Sequence, residues 1–460
     1  MAKKKKFKLV DAILATVCIT LVAESVAPTA AIGNSQYFWW IFLIVAFCLP
    51  YGLITAELGS TFDSEGGMYD WVKAAFGKKW AGRVAWNYWI NFPLWIASLA
   101  VAVTDVIVGI FGIELSFIWL LVLQLAYTWI VSLLGTQRIG ESKWIVNIGT
   151  FFKIAFMLGL GALGIYVYIK TGQSANPIQS VSDLLPTMDL AGLSFISVII
   201  FNFLGFEVVA TFAKDMENPK KEIPKALIVG GALMALFYVL PATGINIAMS
   251  TADAEVAGLT DSFAILLTTL GMTENAIRVI VITVGLMFIY TMVANIVSWS
   301  FGVNSVAKYA ADDGSMPSIF SETNKDGVPY MASILNGLVA TIIVVLGIIL
   351  GIVSETASNL FWTFFSLSLV TLLISYVPIF PAFLKLRKTD KTKRAYQVPG
   401  NSFVLNLITW IPFVLLILGV VFTMFGDFSA EYINENMALI IGVVVSFIVQ
   451  EILVTRVKKD

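Results

Sequence analysis

The stretch Val22-Ala-Glu-Ser-Val-Ala-Pro-Thr-Ala-Ala-Ile-Gly33 interrupts the first hydrophobic run of a very apolar chain. It places a carboxylate, Glu24, four residues before Pro28. At bilayer depth a charge costs about 3 kcal/mol or more. Proline has no N–H to donate and disfavours helix at the residue before it. Such a break is tolerated where the freed backbone faces a cavity or a ligand rather than lipid. The plainer alternative is a proline-kinked helix whose Glu24 pairs with a neighbour. A second interrupted helix, at the position where a structural repeat would place it, argues against that alternative.

The chain around this stretch is that of a polytopic membrane protein. Of its 460 residues 58% are hydrophobic and only 13% charged, with a mean hydropathy of +0.87. A soluble domain carries about twice that charge fraction. The net charge of −1 gives no footing for a nucleic-acid partner; the expected partners are the lipid bilayer and a small-molecule substrate. The absence of histidine excludes a His ligand, base or proton relay. Cys18 and Cys48 lie in apolar runs and read as small hydrophobes, so neither a metal nor a disulfide is expected, and no cofactor. The Lys-rich start reads as the basic flank of an uncleaved first helix.

A bilayer-spanning helix needs about 20 apolar residues. Twelve such runs are predicted: 9–31, 37–60, 82–111, 116–135, 144–170, 191–216, 224–249, 276–307, 329–353, 356–385, 402–425 and 436–455. Lys153 falls within a span, and Lys170 and Arg278 at outward ends; the other Lys and Arg flank one side. By the positive-inside rule that side is the cytoplasm, which puts both termini inside a multi-pass protein of the cytoplasmic membrane. Two longer outer connections, Thr171–Leu190 and Ser250–Asn275, are long enough to cover an external vestibule. No span connects to a hydrophilic segment large enough to be a catalytic domain.

The sixth span reads Ile199-Ile-Phe-Asn-Phe-Leu-Gly-Phe-Glu-Val-Val-Ala, with Asn202, Gly205 and Glu207 near its middle. Spans one and six are equivalent if the first ten helices form two five-helix repeats of inverted topology. Interrupted helices at matched positions of such repeats point to a transporter's binding site. This divides the chain into a basic N-terminus (1–8), a first repeat (9–180), a second repeat (181–390) and two further helices with a short tail (391–460). Other polar or aromatic residues that could line the same cavity are Asn87, Asn91 and Trp95 in span three, with Asp105 further out. Span eight adds Asn295, Ser298 and Trp299, and span ten Trp362, Ser366 and Ser368. Lys153, inside span five, needs a carboxylate or several carbonyls. It reads either as a permanent ion-pair partner of a Glu, or as a fixed charge in place of a coupling sodium ion, or as a titrating proton carrier. Glu57, at the inner end of span two, reads as a structural anchor.

Several ordered motifs resemble the amino acid–polyamine–organocation superfamily of transporters. They are Ala56-Glu-Leu-Gly-Ser with Glu65-Gly-Gly-Met-Tyr-Asp-Trp-Val; Gly205-Phe-Glu with Glu217-Asn-Pro-Lys-Lys-Glu-Ile-Pro-Lys-Ala; Ala310-Ala-Asp-Asp-Gly-Ser-Met-Pro with Asn324-Lys-Asp-Gly-Val-Pro; and Leu386-Arg-Lys-Thr-Asp with Tyr396-Gln-Val-Pro-Gly. The resemblance implies an all-α membrane fold of the leucine-transporter type, five plus five inverted helices with the first and sixth broken, followed by two more. Within the superfamily, Asn324-Lys-Asp-Gly-Val-Pro resembles glutamate–GABA antiporters. The first helix and Gly33-Asn-Ser-Gln-Tyr-Phe-Trp-Trp look more like agmatine–putrescine antiporters and polyamine permeases.

In the amino-acid members the first-helix break is glycine-rich and its N–H groups hold the substrate carboxylate. Here Ala23-Glu-Ser-Val-Ala-Pro-Thr has no glycine and carries Glu24. At an effective dielectric of about 20, like charges about 4 Å apart repel by about 4 kcal/mol, or about a thousandfold in affinity. The expectation is therefore an antiporter of small organic cations, agmatine against putrescine. Glu24 and Glu207 bind the cationic ends, and backbone or side chains of Ala23, Ser25, Thr29, Asn202, Gly205, Asn91 and Asn295 supply hydrogen bonds. Phe201, Trp95 and Phe206 pack on the substrate, Trp299 or Trp362 close over it, Lys153 bridges spans one, five and eight, and Asp105 stands toward the outer gate. The alternative is an amino-acid permease or an amino acid–amine exchanger of glutamate–GABA or tyrosine–tyramine type, with or without proton coupling. A receptor on the same scaffold lacks an appended domain, and an intramembrane enzyme lacks a catalytic constellation. The oligomeric state is not legible.

Overall fold

The computed structural model describes residues 20–62, 66–137, 143–186, 193, 196–205, 219–254, 258–354 and 360–455. Among them every regular element is helical. A 3₁₀ turn, Ala23–Ser25, leads into the short α1 (Val26–Ala31), and α2 (Gln36–Leu43) continues through a π-turn, Ile44–Cys48, into α3 (Leu49–Thr61). There follow α4 (Met68–Phe76), α5 (Lys78–Phe111), α6 (Phe117–Leu134), α7 (Lys143–Thr171), α8 (Ile196–Phe203), α9 (Pro219–Ala248) and α10 (Gly258–Thr269). The remainder are α11 (Glu274–Asp312), α12 (Tyr330–Ser354), α13 (Leu360–Tyr376), α14 (Ile379–Thr389), α15 (Ser402–Phe425), α16 (Ala430–Glu435) and α17 (Met437–Thr455).

Ten helical stretches among the described residues are long and apolar enough to cross a membrane. They match predicted spans two to five and seven to twelve. Spans one and six are the two broken ones, seen as the short α1 and α8; residues 9–19 and 206–216 of those spans lie outside the described residues. The long α5 and α13 pack against each other at the centre and are largely buried, whereas α6, α15 and α17 turn most of their apolar side chains outward, as lipid-facing helices do.

Proline and amphipathicity account for the departures from the predicted spans. The π-turn of span two ends at Cys48, two residues before Pro50, whose missing N–H leaves the ladder to widen over the preceding turn. Span ten, expected as one helix over 356–385, is divided instead. α13 ends at Tyr376 and α14 begins at Ile379, because Pro378 cannot donate to the ladder and restricts Val377. The connection Ser250–Asn275 contains α10, which is too short to span. Its Leu259, Phe263, Leu266 and Leu267 are buried at helical spacing, and it packs on α7, α9 and α11. The other long connection is strapped down by Asn176. Its N–H donates to the Asn246 carbonyl (3.1 Å), and its side-chain amide donates to the carbonyls of Asn246 and Met249 (both 2.8 Å). The Asn34 amide in turn donates to the Asn176 carbonyl (3.3 Å).

On the opposite, lysine-rich face two polar clips join distant motifs. Glu57, at the end of α3, is buried; it accepts from Arg394 Nε (2.8 Å), the Val398 N–H (2.7 Å) and Arg387 Nη1. Tyr69 of α4 reaches Asp313 (2.5 Å) and Ser315 (2.7 Å), and Lys73 pairs with Asp313 (2.7 Å). A hydrogen-bonded, buried carboxylate between two guanidiniums is costly to disrupt, on the order of 3–5 kcal/mol. Glu57 is thus an anchor between α3 and the chain after α14.

Candidate functional site

The first break lies at Leu21 and Val22, upstream of where Pro28 would put it. Val22 is extended (φ −122°, ψ 107°), and the 3₁₀ turn begins directly after it. Pro28 is the third residue of α1, where its missing N–H interrupts nothing. The expectation of open backbone from Ala23 to Thr29 is therefore corrected: those residues are already helical, and the freed groups belong to Leu21 and Val22. Three of these groups are taken up by side chains. The Leu21 carbonyl accepts from Lys153 Nζ, the Val22 N–H donates to Tyr238 Oη (2.9 Å), and the Val22 carbonyl accepts from Ser25 Oγ (2.9 Å).

The second break is set by Gly205. α8 stops at Phe203, and Gly205 has φ +90°, a conformation that side chains resist. A Cβ there would lie 3.1 Å from both Thr20 Cγ2 and the ring of Trp299, so glycine also permits the close approach. Gly205 thereby brings the second break against Thr20, next to the first. Phe206 and Glu207 lie outside the described residues.

Between the breaks is a cavity lined by Thr20 and Val22, by Tyr88, Asn91, Phe92 and Trp95 of α5, and by Phe201, Leu204, Trp299, Val303 and Leu372. Its volume is about 20 Å³, far below the roughly 300–1,000 Å³ of an open ligand cleft. The space between the breaks is narrow. Trp95 closes the space by meeting Trp299 (6.1 Å between rings) and Phe201 (6.2 Å) edge-on. Phe201 continues to Phe365 (5.6 Å), which stacks on Phe361 and meets Trp362 edge-on. Trp362 is thus the far end of an aromatic chain rather than part of the cavity wall.

Behind the first break lies a buried polar relay. Asn295 Nδ2 donates to Glu24 Oε1 (3.2 Å), and Asn295 Oδ1 accepts from Lys153 Nζ (3.5 Å). Lys153 thus joins α7 to the first broken helix and to α11. All three side chains are buried, and Glu24 Oε2 has no hydrogen-bond partner. Glu24 and Asn295 are therefore beside the cavity and not on its wall. Ser25 lies 3.4 Å from Tyr238 Oη, while Thr29 Oγ1 donates to the Ser25 carbonyl (3.0 Å) and accepts from Asn202 Nδ2 (3.3 Å). The Thr29–Asn202 bond joins the two broken helices, and Ala23, Ser25, Thr29 and Asn202 do not line the cavity.

Of the predicted contact residues, Asn91, Trp95, Phe201 and Trp299 line the cavity. Asn87 instead reaches Gln450 of α17, Ser298 bonds back to the Ala294 carbonyl (2.7 Å), and Asp105 is exposed toward the far end of α5. Sequence reasoning missed Thr20, Val22, Tyr88, Phe92, Leu204, Val303 and Leu372. The helical spacing of Tyr88, Asn91, Phe92 and Trp95 was the available signal; the apolar members look like ordinary core. Among the described residues no group of three or more His, Cys, Asp or Glu is placed to hold a metal ion.

Two broken helices meeting inside a bundle of apolar spans, with a narrow cavity between them, define a secondary transporter. The chain belongs to the amino acid permease family, whose profile matches residues 7–447. It is 44% identical over 457 residues to the probable agmatine/putrescine antiporter AguD of Lactococcus lactis, covering 98% of this chain and 95% of that one. It is 25% identical over 455 residues to the putrescine transporter PotE of Escherichia coli K12, covering 97% and 95%. Its backbone resembles that of the Eremococcus coleocola manganese transporter, with a TM-score of 0.57 at 13% identity over 97% of this chain and 96% of that one. The fold is all-α and of the leucine-transporter type. The protein is a multi-pass membrane transporter of a small-molecule substrate, not an enzyme.

Proposed function

We propose that this chain exchanges agmatine for putrescine across the cytoplasmic membrane by alternating access, with the lysine-rich face and both termini in the cytoplasm. The observation that carries the reading is the wall of the cavity. It offers the rings of Tyr88, Phe92, Trp95, Phe201 and Trp299, the polar groups of Thr20 and Asn91, and no cationic side chain. Aromatic faces attract an ammonium or guanidinium by about 0.5–2 kcal/mol each. The buried Glu24 carboxylate stands next to the break where a carboxylate-binding relative would present free N–H groups, and it disfavours an amino acid there. Glu207, two residues beyond Gly205, is the second partner of a dication. Lys153 and Asn295 position Glu24, and Asp105 and Trp362 belong to the outer gate. The resemblance to AguD and PotE supports the same substrate class. The repeats run over 9–180 and 181–390, with the long α5 and α11 as equivalent third helices.

Counterflow in proteoliposomes tests the reading. Vesicles loaded with putrescine should take up labelled agmatine, and external arginine, glutamate, tyrosine and alanine should not compete. Strong competition by any of these amino acids, or uptake into empty vesicles, would overturn it.

A further inference from the structure

A second cavity, of about 370 Å³, opens on the lysine-rich face, remote from the broken helices. It is lined by Arg387, Tyr396, Gln397, Val398, Pro399 and Gly400. Three features suit it to an anion. Tyr396 is 1% exposed, yet its buried hydroxyl has no hydrogen-bond partner. Burial, with Glu57 adding and Arg387 opposing, pushes that hydroxyl up to about 12, so it remains a donor at neutral pH. The guanidinium of Arg387 donates one N–H to Glu57 and another to the Val398 carbonyl (3.0 Å), and its five-donor fork retains others. The 24-residue α15 begins directly after the cavity. Asn401 caps the Val404 N–H (3.1 Å), and the N–H groups of Ser402 and Phe403 meet no helical carbonyl.

The surroundings specify the anion further. Lys385, Lys388, Lys391 and Lys393 are exposed in the same segment as Arg387 and Arg394, whose guanidiniums both pair with Glu57. A basic cluster next to a membrane span attracts anionic headgroups. From the cavity mouth, α15 presents Phe403, Leu407, Trp410, Ile411 and Val414 outward along one face, all exposed in the protein. A molecule with a phosphate in the cavity would therefore find an apolar track for acyl chains directly beneath it. We propose that this cavity binds the phosphate group of an anionic phospholipid, held by the Tyr396 hydroxyl, the Arg387 fork and the first turn of α15, with its acyl chains along the outward face of that helix.

The test needs no transport activity, so its outcome is independent of the substrate reading. The purified full-length chain is equilibrated with equal amounts of phosphatidylglycerol and phosphatidylcholine of identical acyl chains, and retained lipid is counted by native mass spectrometry. The wild type should retain phosphatidylglycerol in clear preference. Gln397→Glu, at an exposed position of the wall, should reduce that retention about tenfold through like-charge repulsion. Tyr396→Phe should reduce it by a similar factor of about ten through loss of one donor to a charged acceptor. Thermal melting of each variant reports whether it is folded. Lys325→Gln, a loss of charge elsewhere on the same face, should change nothing. Equal retention of the two lipids, or a preference that survives both cavity substitutions, overturns the site. Binding of inorganic phosphate without lipid preference, with a ³¹P signal lost in Tyr396→Phe, overturns the lipid assignment and leaves a soluble phosphate ligand.

Discussion

The relay from Glu24 through Asn295 to Lys153 should behave as one energetic unit, and a double-mutant cycle measures it. The Asn295 amide contacts both charges, at 3.2 Å and 3.5 Å. The carboxylate and the ammonium are thus within about 9 Å of each other, and at an effective dielectric of about 20 their attraction is about 2–3 kcal/mol. Lys153→Met keeps the volume but leaves Glu24 buried without this counter-charge. Glu24→Gln takes this counter-charge from the Lys153 ammonium and leaves its bonds to the Leu21 carbonyl and Asn295 in place. Each single change should destabilise the purified protein, and the double variant should be more stable than the sum of the two losses predicts, by about 2–3 kcal/mol. Equilibrium unfolding in mixed micelles with rising dodecyl sulfate reads these differences. Additivity within about 0.5 kcal/mol would refute the coupling. Transport provides the second half of the test. The double variant should fold and yet bind agmatine more weakly, and wild-type exchange kinetics would remove Glu24 and Lys153 from the transport cycle.

Four further outcomes are expected. Gly205→Ala must adopt φ +90° and meet Thr20 and Trp299 at 3.1 Å, at about 1–2 kcal/mol for the backbone alone; a variant with unaltered melting and uptake would show that the second break is not constrained there. Trp299→Leu should raise the agmatine concentration for half-maximal uptake about tenfold, while Trp299→Phe should keep most of the affinity; identical values for the two variants would mean that the ring contributes only bulk. At Asp313 burial opposes the charge, but Lys73 and the Tyr69 hydroxyl outweigh it and hold the carboxyl below its ordinary value of 3.8. Its stabilisation is therefore complete above that value and lost as pH falls through the lower folded-state value; the stability gap between wild type and Asp313→Asn should follow this course, and a gap independent of pH would contradict it. Replacing sodium by choline should leave agmatine–putrescine exchange unchanged, since exchange of two organic cations needs no ion gradient; a sodium requirement would overturn the coupling scheme.

The organisation of the chain was legible where physics leaves a sequence little choice. Twenty-residue apolar runs can do little but span, and a carboxylate or a glycine inside one marks an interruption. The exact place of the first interruption was not legible. Pro28 looks like the breaker, but its effect depends on its position in the helix, and at the third residue of α1 it breaks nothing. The break at Leu21 and Val22 is instead maintained by Lys153 and Tyr238, more than 130 and 210 residues away. Glu24 stands out in the sequence as an intramembrane carboxylate, but its direction depends on Asn295, which lies 271 residues further on. The cavity wall was half legible: Asn91, Trp95 and Trp299 stand out by residue type, whereas Phe92 and Leu372 cannot be told from core by composition. α10 was missed because a 12-residue amphipathic segment between spans resembles a loop when only spanning runs are sought.

The Glu57 clip also bears on how the chain is made. Glu57 is translated 330 residues before Arg387 and 341 before the Val398 N–H that completes its coordination. While the ribosome works through the second repeat, this carboxylate has neither guanidinium to meet, and its burial must wait for them. The first repeat can therefore insert early but cannot close its lysine-rich end alone. A chain stalled or truncated before residue 387 would present Glu57 and the end of α3 to water, where quality-control proteases and chaperones read unfinished membrane proteins. The clip makes the last stage of synthesis a condition for sealing the first helices.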